Sequence, residues 1–386
     1  MFIIKTLFHY SILSLSIIVR FFTNVKKKRV VCNSYGFTRY SCNPKYITEY
    51  LLEYSNEFEI CWVFKEIAKA KDMPSKCKVI KWRTLKYLYY INTAEFIISN
   101  ERLGLWNCYW IKRKGQKYIM TWHSSMGLKK IEKDAESKLP KSYIKSAKYD
   151  SSMCDLILSG CEFRTKIIEN AFWYEGEILR MGTPRNDILF RDNFNIKKLV
   201  YNKYGIPLDK KILLYAPTFR KDYSLSHYKL EWKDVINVLK FEEKADYIVM
   251  LRLHPVFQSN SEILNKYTSM NIIDVSDYPD IQELLSITDI LVTDYSSSIF
   301  DFSLLNKPIF IYASDINSFD RGTYLKFKEM PFPIAESNER FLELFKSFTL
   351  TDFQAKLEDF NKNVIGSYEK GIACKELHSW MNKNTI

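Results

Sequence analysis

From Lys28 onward the chain alternates short apolar runs with helical segments, and no other feature limits its fold as tightly. Arg29–Ser34, Phe58–Phe64, Lys78–Trp82, Ala94–Ser99, Lys117–Trp122, Leu156–Ser159 and Ile178–Met181 read as strands. Between the first two, Asn43 reads as a helix cap, Pro44 as its first turn and Tyr46–Tyr54 as the apolar stripe. Such alternation predicts parallel sheets covered by helices on both faces. A polar stretch, Arg191–Lys211, interrupts it with Gly205 and Pro207. The pattern then restarts at Lys211–Tyr215, Tyr247–Leu253, Asn271–Val275, Ile290–Thr293 and Lys307–Tyr312, and ends in helical segments. The expectation is an α/β protein of two doubly wound, Rossmann-like halves, 28–190 and 191–386, behind an apolar N-terminal segment, 1–27.

The length of 386 residues suits two domains that each bury a core. A formal net charge of +12 favours an anionic partner: a phosphorylated substrate, nucleic acid or an acidic membrane surface. Tyr and Phe are scattered, with no base-stacking repeat, so nucleic acid is not an expected partner. The eight cysteines form no C-x-x-C pair and have no histidine at zinc spacing, which predicts reduced thiols and no metal site. Phe2–Phe22 is apolar but interrupted by Lys5, His9 and Arg20, and Lys26–Arg29 follow. An interfacial helix with a basic anchor fits this better than a cleaved leader; a single span and a plain packing helix stay open.

Polar residues gather just past the carboxyl ends of strands, where open parallel sheets bind ligands. His123 follows Lys117–Trp122, and Arg185 with Asn186 follows Ile178–Met181. Thr218 and Arg220 follow Lys211–Tyr215, while Arg252 and His254 close Tyr247–Leu253. Thr293, Asp294, Ser296, Ser297, Ser298 and Asp301 occupy the strand–turn–helix unit Asp289–Asp315, with the helix expected from about Ser297 to Leu305. A serine-rich turn there is open to two readings, a helix cap or a phosphate seat. Guanidinium groups bind phosphate in a fork, so Arg185, Arg220 and Arg252 are candidate phosphate ligands. Neither a P-loop nor a G-x-G-x-x-G fingerprint is present, and Asp294 with Asp301 does not make a two-metal site.

The ordered set TWHSS (121–125), GTPRND (182–187), YAPTFR (215–220), LRLHP (251–255), TDYSSSIFDF (293–302) and KPIFIY (307–312) resembles the CDP-glycerol glycerophosphotransferases, the teichoic-acid primases and polymerases. The resemblance implies a GT-B fold, two Rossmann-like domains facing a cleft, with the nucleotide mostly on the C-terminal domain. It implies His123 as base on the acceptor hydroxyl, and His254 by the pyrophosphate with Arg220 and Ser296–Ser298 neutralising it. Two stretches depart from the family pattern, Ser124-Ser125-Met126-Gly127 and Met330-Pro331-Phe332-Pro333, and both bear on the acceptor side.

The reaction implied is transfer of glycerol-phosphate, or a related polyol-phosphate such as ribitol-phosphate, from a CDP-activated donor to a hydroxyl of a membrane-linked glycan or polymer, releasing CMP. No tightly bound cofactor is implied, and a divalent-ion requirement is left open. The expected place is the cytoplasmic face of the cell membrane, peripheral or monotopic, with a lipid-linked acceptor. Two rivals remain at this stage: a GT-B glycosyltransferase using a nucleotide sugar, and a non-catalytic basic membrane- or nucleic-acid-binding protein.

Overall fold

A computed structural model describes residues 2–104, 108–218, 230–242, 246–253, 272–316 and 322–386. Seven parallel strands form the first sheet: β1 (Lys26–Asn33), β2 (Glu59–Phe64), β3 (Lys78–Lys81), β4 (Ala94–Ser99), β5 (Lys117–Met120), β6 (Leu156–Ser159) and β7 (Glu177–Arg180). Their order is β3-β2-β1-β4-β5-β6-β7. The second sheet holds β8 (Lys211–Tyr215), β9 (Tyr247–Leu251), β10 (Ile273–Asp274), β11 (Ile290–Thr293), β12 (Ile309–Tyr312) and β13 (Ile334–Ala335), in the order β10-β9-β8-β11-β12-β13. Every pairing in it is parallel. Each sheet builds outward in one direction and then crosses back, so its order reverses once, between β1 and β4 and between β8 and β11. Those reversals open the crevices in which doubly wound sheets hold ligands.

Central strands are largely buried and mostly apolar, as expected where helices cover both faces. Every residue of β4, β6, β11 and β12 is buried. In the second sheet Leu213, Tyr215, Val249, Val292 and Phe310 pack with Trp232, Phe341 and Phe345 into one core.

The chain divides into two compact units. The first comprises 1–125, 131–187 and 367–386; the second comprises 126–130 and 188–366. The terminal helices were expected with residues 191–386, but the last, Ala373–Lys383, belongs to the first unit. Asp187 explains its place. Its carboxylate accepts from the N–H groups of Ala373 (2.9 Å) and Cys374 (2.8 Å), satisfying the open donors at that helix start across the sequence.

The N-terminal segment forms one helix, α1 (Phe2–Phe21). Among the described residues no helix is long and apolar enough to cross a membrane. The segment does not stand apart as a unit of its own: α1 packs on α3 (Leu85–Thr93) within the first unit. Three of its polar residues fasten it to α3 and to the segment around Tyr109–Ile111. Ser16 Oγ accepts from Asn92 Nδ2 at 2.8 Å, Arg20 donates to the Ile111 carbonyl at 3.2 Å, and the His9 ring stacks on Tyr109. Tyr10, Ile18, Phe21 and Phe22 stay exposed.

Several element ends differ from expectation for local reasons. The helix α2 spans Cys42–Tyr54 with Ser41, not Asn43, at its cap position. β5 stops at Met120 because Trp122 turns to a left-handed backbone (φ 53°). The helix after β11 is Ser298–Ser303, six residues long.

Candidate active site

His123 stands at a corner built by three loops of the first unit. Trp122 holds φ 53°, a conformation that costs a bulky residue about 1–3 kcal/mol unless its surroundings enforce it. Asn43 supplies that enforcement. Its Nδ2 donates to the Trp122 carbonyl (2.9 Å) and the Thr121 carbonyl (3.3 Å), while its Oδ1 accepts the Arg185 N–H (3.0 Å). Arg185 closes the loop by donating from its guanidinium to the His123 carbonyl at 2.8 Å. Asn43 is fully buried and Arg185 nearly so.

The imidazole itself is fixed by its neighbours. His123 Nδ1 lies 3.0 Å from the Asn100 carbonyl. A carbonyl only accepts, so a contact here assigns the proton to Nδ1 and leaves Nε2 with its lone pair. Trp122 stacks against the ring at 4.7 Å between centroids. The side chain reaches solvent, yet surrounding protein disfavours its cation and the charges of Arg185 and Arg164 add to that. Together they outweigh the Asn100 carbonyl and hold the pKa down at about 4. At neutral pH the ring is therefore an uncharged hydrogen-bond acceptor at Nε2, the form a general base requires.

The GTPRND segment is bonded within the first unit. Arg185 and Asn186 were candidate phosphate ligands, but both are buried and bonded to protein. Asn186 Nδ2 donates to Glu369 Oε1 (3.1 Å), and Glu369 Oε2 accepts the Thr183 N–H (3.0 Å). Gly182 permits the turn with φ 101°, and a side chain there would meet Glu369. The segment braces the His123 corner and the returning C-terminal stretch.

In the second unit the polar residues meet at the reversal between β8 and β11. Both Asp294 oxygens accept the Thr218 N–H (2.9 and 3.0 Å), and Asp294 Oδ1 also accepts from Tyr295 N. Thr293 Oγ1 donates to the Ala216 carbonyl at 2.6 Å. Asp294 and Thr293 therefore tie two strand ends together, and their buried oxygens are spent on protein. Asp301 is buried against Gln282, and Arg252 donates to the carbonyls of Val275 and Tyr278. All four thus make bonds within the fold, with Thr293, Asp294 and Asp301 buried and Arg252 half-buried.

Half-buried Thr218, Ser296, Ser297 and Ser298 keep access to solvent. Ser296 Oγ pairs with Ser298 Oγ at 2.8 Å, and Ser297 makes no capping hydrogen bond. The open donor at the helix start is met instead by Ser296 Oγ, which accepts the Ser298 N–H at 3.2 Å. Arg220 and His254 lie outside the described residues. Among the described residues no group of three or more His, Cys, Asp or Glu side chains could hold a metal ion.

Sequence reasoning missed Asn43 and Asn100 as parts of this site. Asn100 follows β4 directly, so the strand-end rule that found His123 could have found it. Asn43 carried no such signal, because its partners sit 79 and 142 residues away.

Two successive Rossmann-like units, each with polar residues past the carboxyl ends of its parallel strands, define a GT-B-type α/β fold. The family model for CDP-glycerol:poly(glycerophosphate) glycerophosphotransferase matches residues 15–377, and the chain belongs to that family. A teichoic acid poly(glycerol phosphate) polymerase of Staphylococcus epidermidis is 36% identical over 81% of this chain, which spans only 44% of that relative's length. A polymerase of the same description from Bacillus spizizenii is 34% identical, with 82% of each chain covered. Among solved structures, the wall teichoic acid polymerase TagF soaked with CDPG superposes with a TM-score of 0.85 at 32% identity, covering 98% of this chain and 97% of that one.

Proposed function

We propose that this chain transfers glycerol-phosphate, or a related polyol-phosphate, from a CDP-activated donor to a hydroxyl of a lipid-linked glycan or teichoic-acid-type polymer. The observation that carries the reading is His123: a neutral imidazole, anchored at Nδ1, with Nε2 left to accept a proton. An alcohol is a poor nucleophile at neutral pH, and a positioned base contributes typically about 10²–10⁴-fold. His123 Nε2 takes the hydroxyl proton as the oxygen bonds to the donor phosphorus. The bond from phosphorus to the CMP oxygen breaks, and CMP leaves with the electron pair.

The donor's phosphates belong with the second unit. Thr218 and Ser296–Ser298 offer hydroxyl donors at the β8/β11 reversal, and the family resemblance adds Arg220 and His254. Charge that grows on the departing CMP is stabilised more in the transition state than in the ground state by such donors. The exposed apolar face of α1 and the neighbouring Lys26 and Lys27 suit a peripheral seat on an anionic membrane, where a lipid-linked acceptor resides.

The test is a donor panel of CDP-glycerol, CDP-ribitol and UDP-sugars, scored for release of CMP or UDP with membrane extract as acceptor. CMP from CDP-glycerol, with product carrying glycerol-phosphate, is expected. UDP release from a sugar donor alone would replace this reading with that of a glycosyltransferase.

A further inference from the structure

Asn100 holds more than the His123 ring. Its side chain is fully buried, and its Oδ1 accepts the Tyr35 N–H at 2.9 Å. That contact fixes which end of the carboxamide is oxygen and therefore where Nδ2 points. Nδ2 has no hydrogen-bond partner among the described residues. Buried donors left unmade are uncommon in folded proteins, and those that persist ask for a reason. Here the orphan donor belongs to the residue whose carbonyl orients the candidate base, beside the β1/β4 reversal. A second orphan, Ser41 Oγ, lies at the same end of that sheet, where the chain enters α2.

What closes over the carboxamide is itself strained. Tyr35, Gly36 and Phe37 all hold a left-handed backbone, with φ of 44°, 63° and 67°. Only the middle residue is glycine, so the loop sits away from its preferred conformation. The Tyr35 ring is over a third exposed and tilts toward His123 at 6.1 Å between centroids. The loop that bonds Asn100 Oδ1 and the ring that neighbours His123 therefore belong to one residue, which brings Asn100 and the candidate base to the same corner.

We propose that Asn100 is a binding residue for the acceptor, its Nδ2 donating to a non-reacting oxygen next to the hydroxyl that His123 deprotonates. The inference rests on the glycerophosphotransferase reading for the identity of the acceptor. The oxygen bonded is a neighbouring hydroxyl or a phosphodiester oxygen of the polymer end, since both present lone pairs. Donation to the reacting oxygen itself would weaken the nucleophile. A neutral amide placed one atom to the side orients the acceptor without that loss.

Two substitutions in the full-length chain test this. N100D keeps an oxygen for the Tyr35 N–H and leaves the backbone carbonyl against His123, while turning the donor into a charged acceptor. N100A removes the bond to Tyr35 N–H together with the proposed bond to the acceptor. Glycerophosphoglycerol serves as the soluble acceptor mimic, its binding followed by NMR titration, alongside KM for acceptor and donor and the thermal midpoint. For N100D the expectation is a rise of about tenfold or more in acceptor Kd and KM with donor KM unchanged, while the buried carboxylate lowers the thermal midpoint. If N100D binds glycerophosphoglycerol within twofold of wild type, or weakens donor and acceptor alike in step with lost stability, the proposal is overturned. A bonded phosphodiester oxygen makes N100D worse than N100A, whereas a bonded hydroxyl, which can donate in turn, makes N100D the milder of the two. Because the binding arm needs no turnover, a wild-type chain that releases no CMP from CDP-glycerol would defeat the functional reading while leaving Asn100 judged on its own.

Discussion

The His123 corner and the serine turn both lie past the carboxyl end of a parallel strand, β5 and β11, yet they are built on opposite plans. At the first, a strained Trp122 backbone is clamped by Asn43 and Arg185, and the exposed imidazole is the part that protrudes. At the second, the acid and threonine are consumed in holding strand ends together, and three half-buried serines remain accessible. A group that moves a proton must be aimed to within tenths of an ångström. Groups that neutralise a flexible phosphate gain from adaptable hydroxyls. The difference in rigidity matches the difference in assigned chemistry.

The largest effect should follow from removing the protruding group. His123→Ala is expected to lower kcat about 10²–10⁴-fold while CDP-glycerol binding, measured by calorimetry, stays the same. An unchanged kcat would dissolve the distinction between the two corners. Next comes the clamp. Asn43→Ala removes the bond from the buried Arg185 N–H and one of the two donors to the Trp122 carbonyl, which keeps Thr121 Oγ1, at a cost of about 1–3 kcal/mol. Denaturant unfolding should record that loss, and kcat should fall with it. Full stability with full activity would show that Trp122 keeps its turn unaided.

A pH series sharpens the contrast further. The folded His123 pKa is about 4, below the ordinary histidine value of roughly 6.5. As pH falls, the unfolded chain takes up the proton first, so this residue's stability contribution is present above about 6.5 and lost toward 4. The acid limb of kcat should likewise lie below 6.5, and Arg185→Met, removing a neighbouring positive charge, should move it upward. An acid limb at or above 6.5 in the wild type would break the assignment. The smallest effect belongs to the serine turn: Ser297→Ala should raise the donor Kd about two- to tenfold without changing the thermal midpoint. A drop in midpoint with unchanged Kd would make the turn a purely structural cap.

Much of the fold was legible because parallel, doubly wound sheets write themselves as apolar runs. Ala94–Ser99, Leu156–Ser159, Lys211–Tyr215 and Ile290–Thr293 match their strands end to end. His123 was legible because the carboxyl end of a strand is where such folds place function. The tasks of Arg185, Asn186, Arg252 and Asp294 were not, since residue type announces charge but not the partner that consumes it. Asn43 read locally as a cap at a helix start, and only the fold brings Trp122 and Arg185 to it. The C-terminal helix was assigned by proximity in sequence, whereas Asp187 draws it to the first unit.

The central claim is that His123 presents a neutral ring with its proton on Nδ1. Nitrogen-15 NMR of histidine-labelled protein, with His123→Ala identifying the signal, reads that state directly. The account predicts the Nδ1–H tautomer at pH 7, titrating below 6.5. An imidazolium at pH 7, or a ring protonated on Nε2, would contradict it.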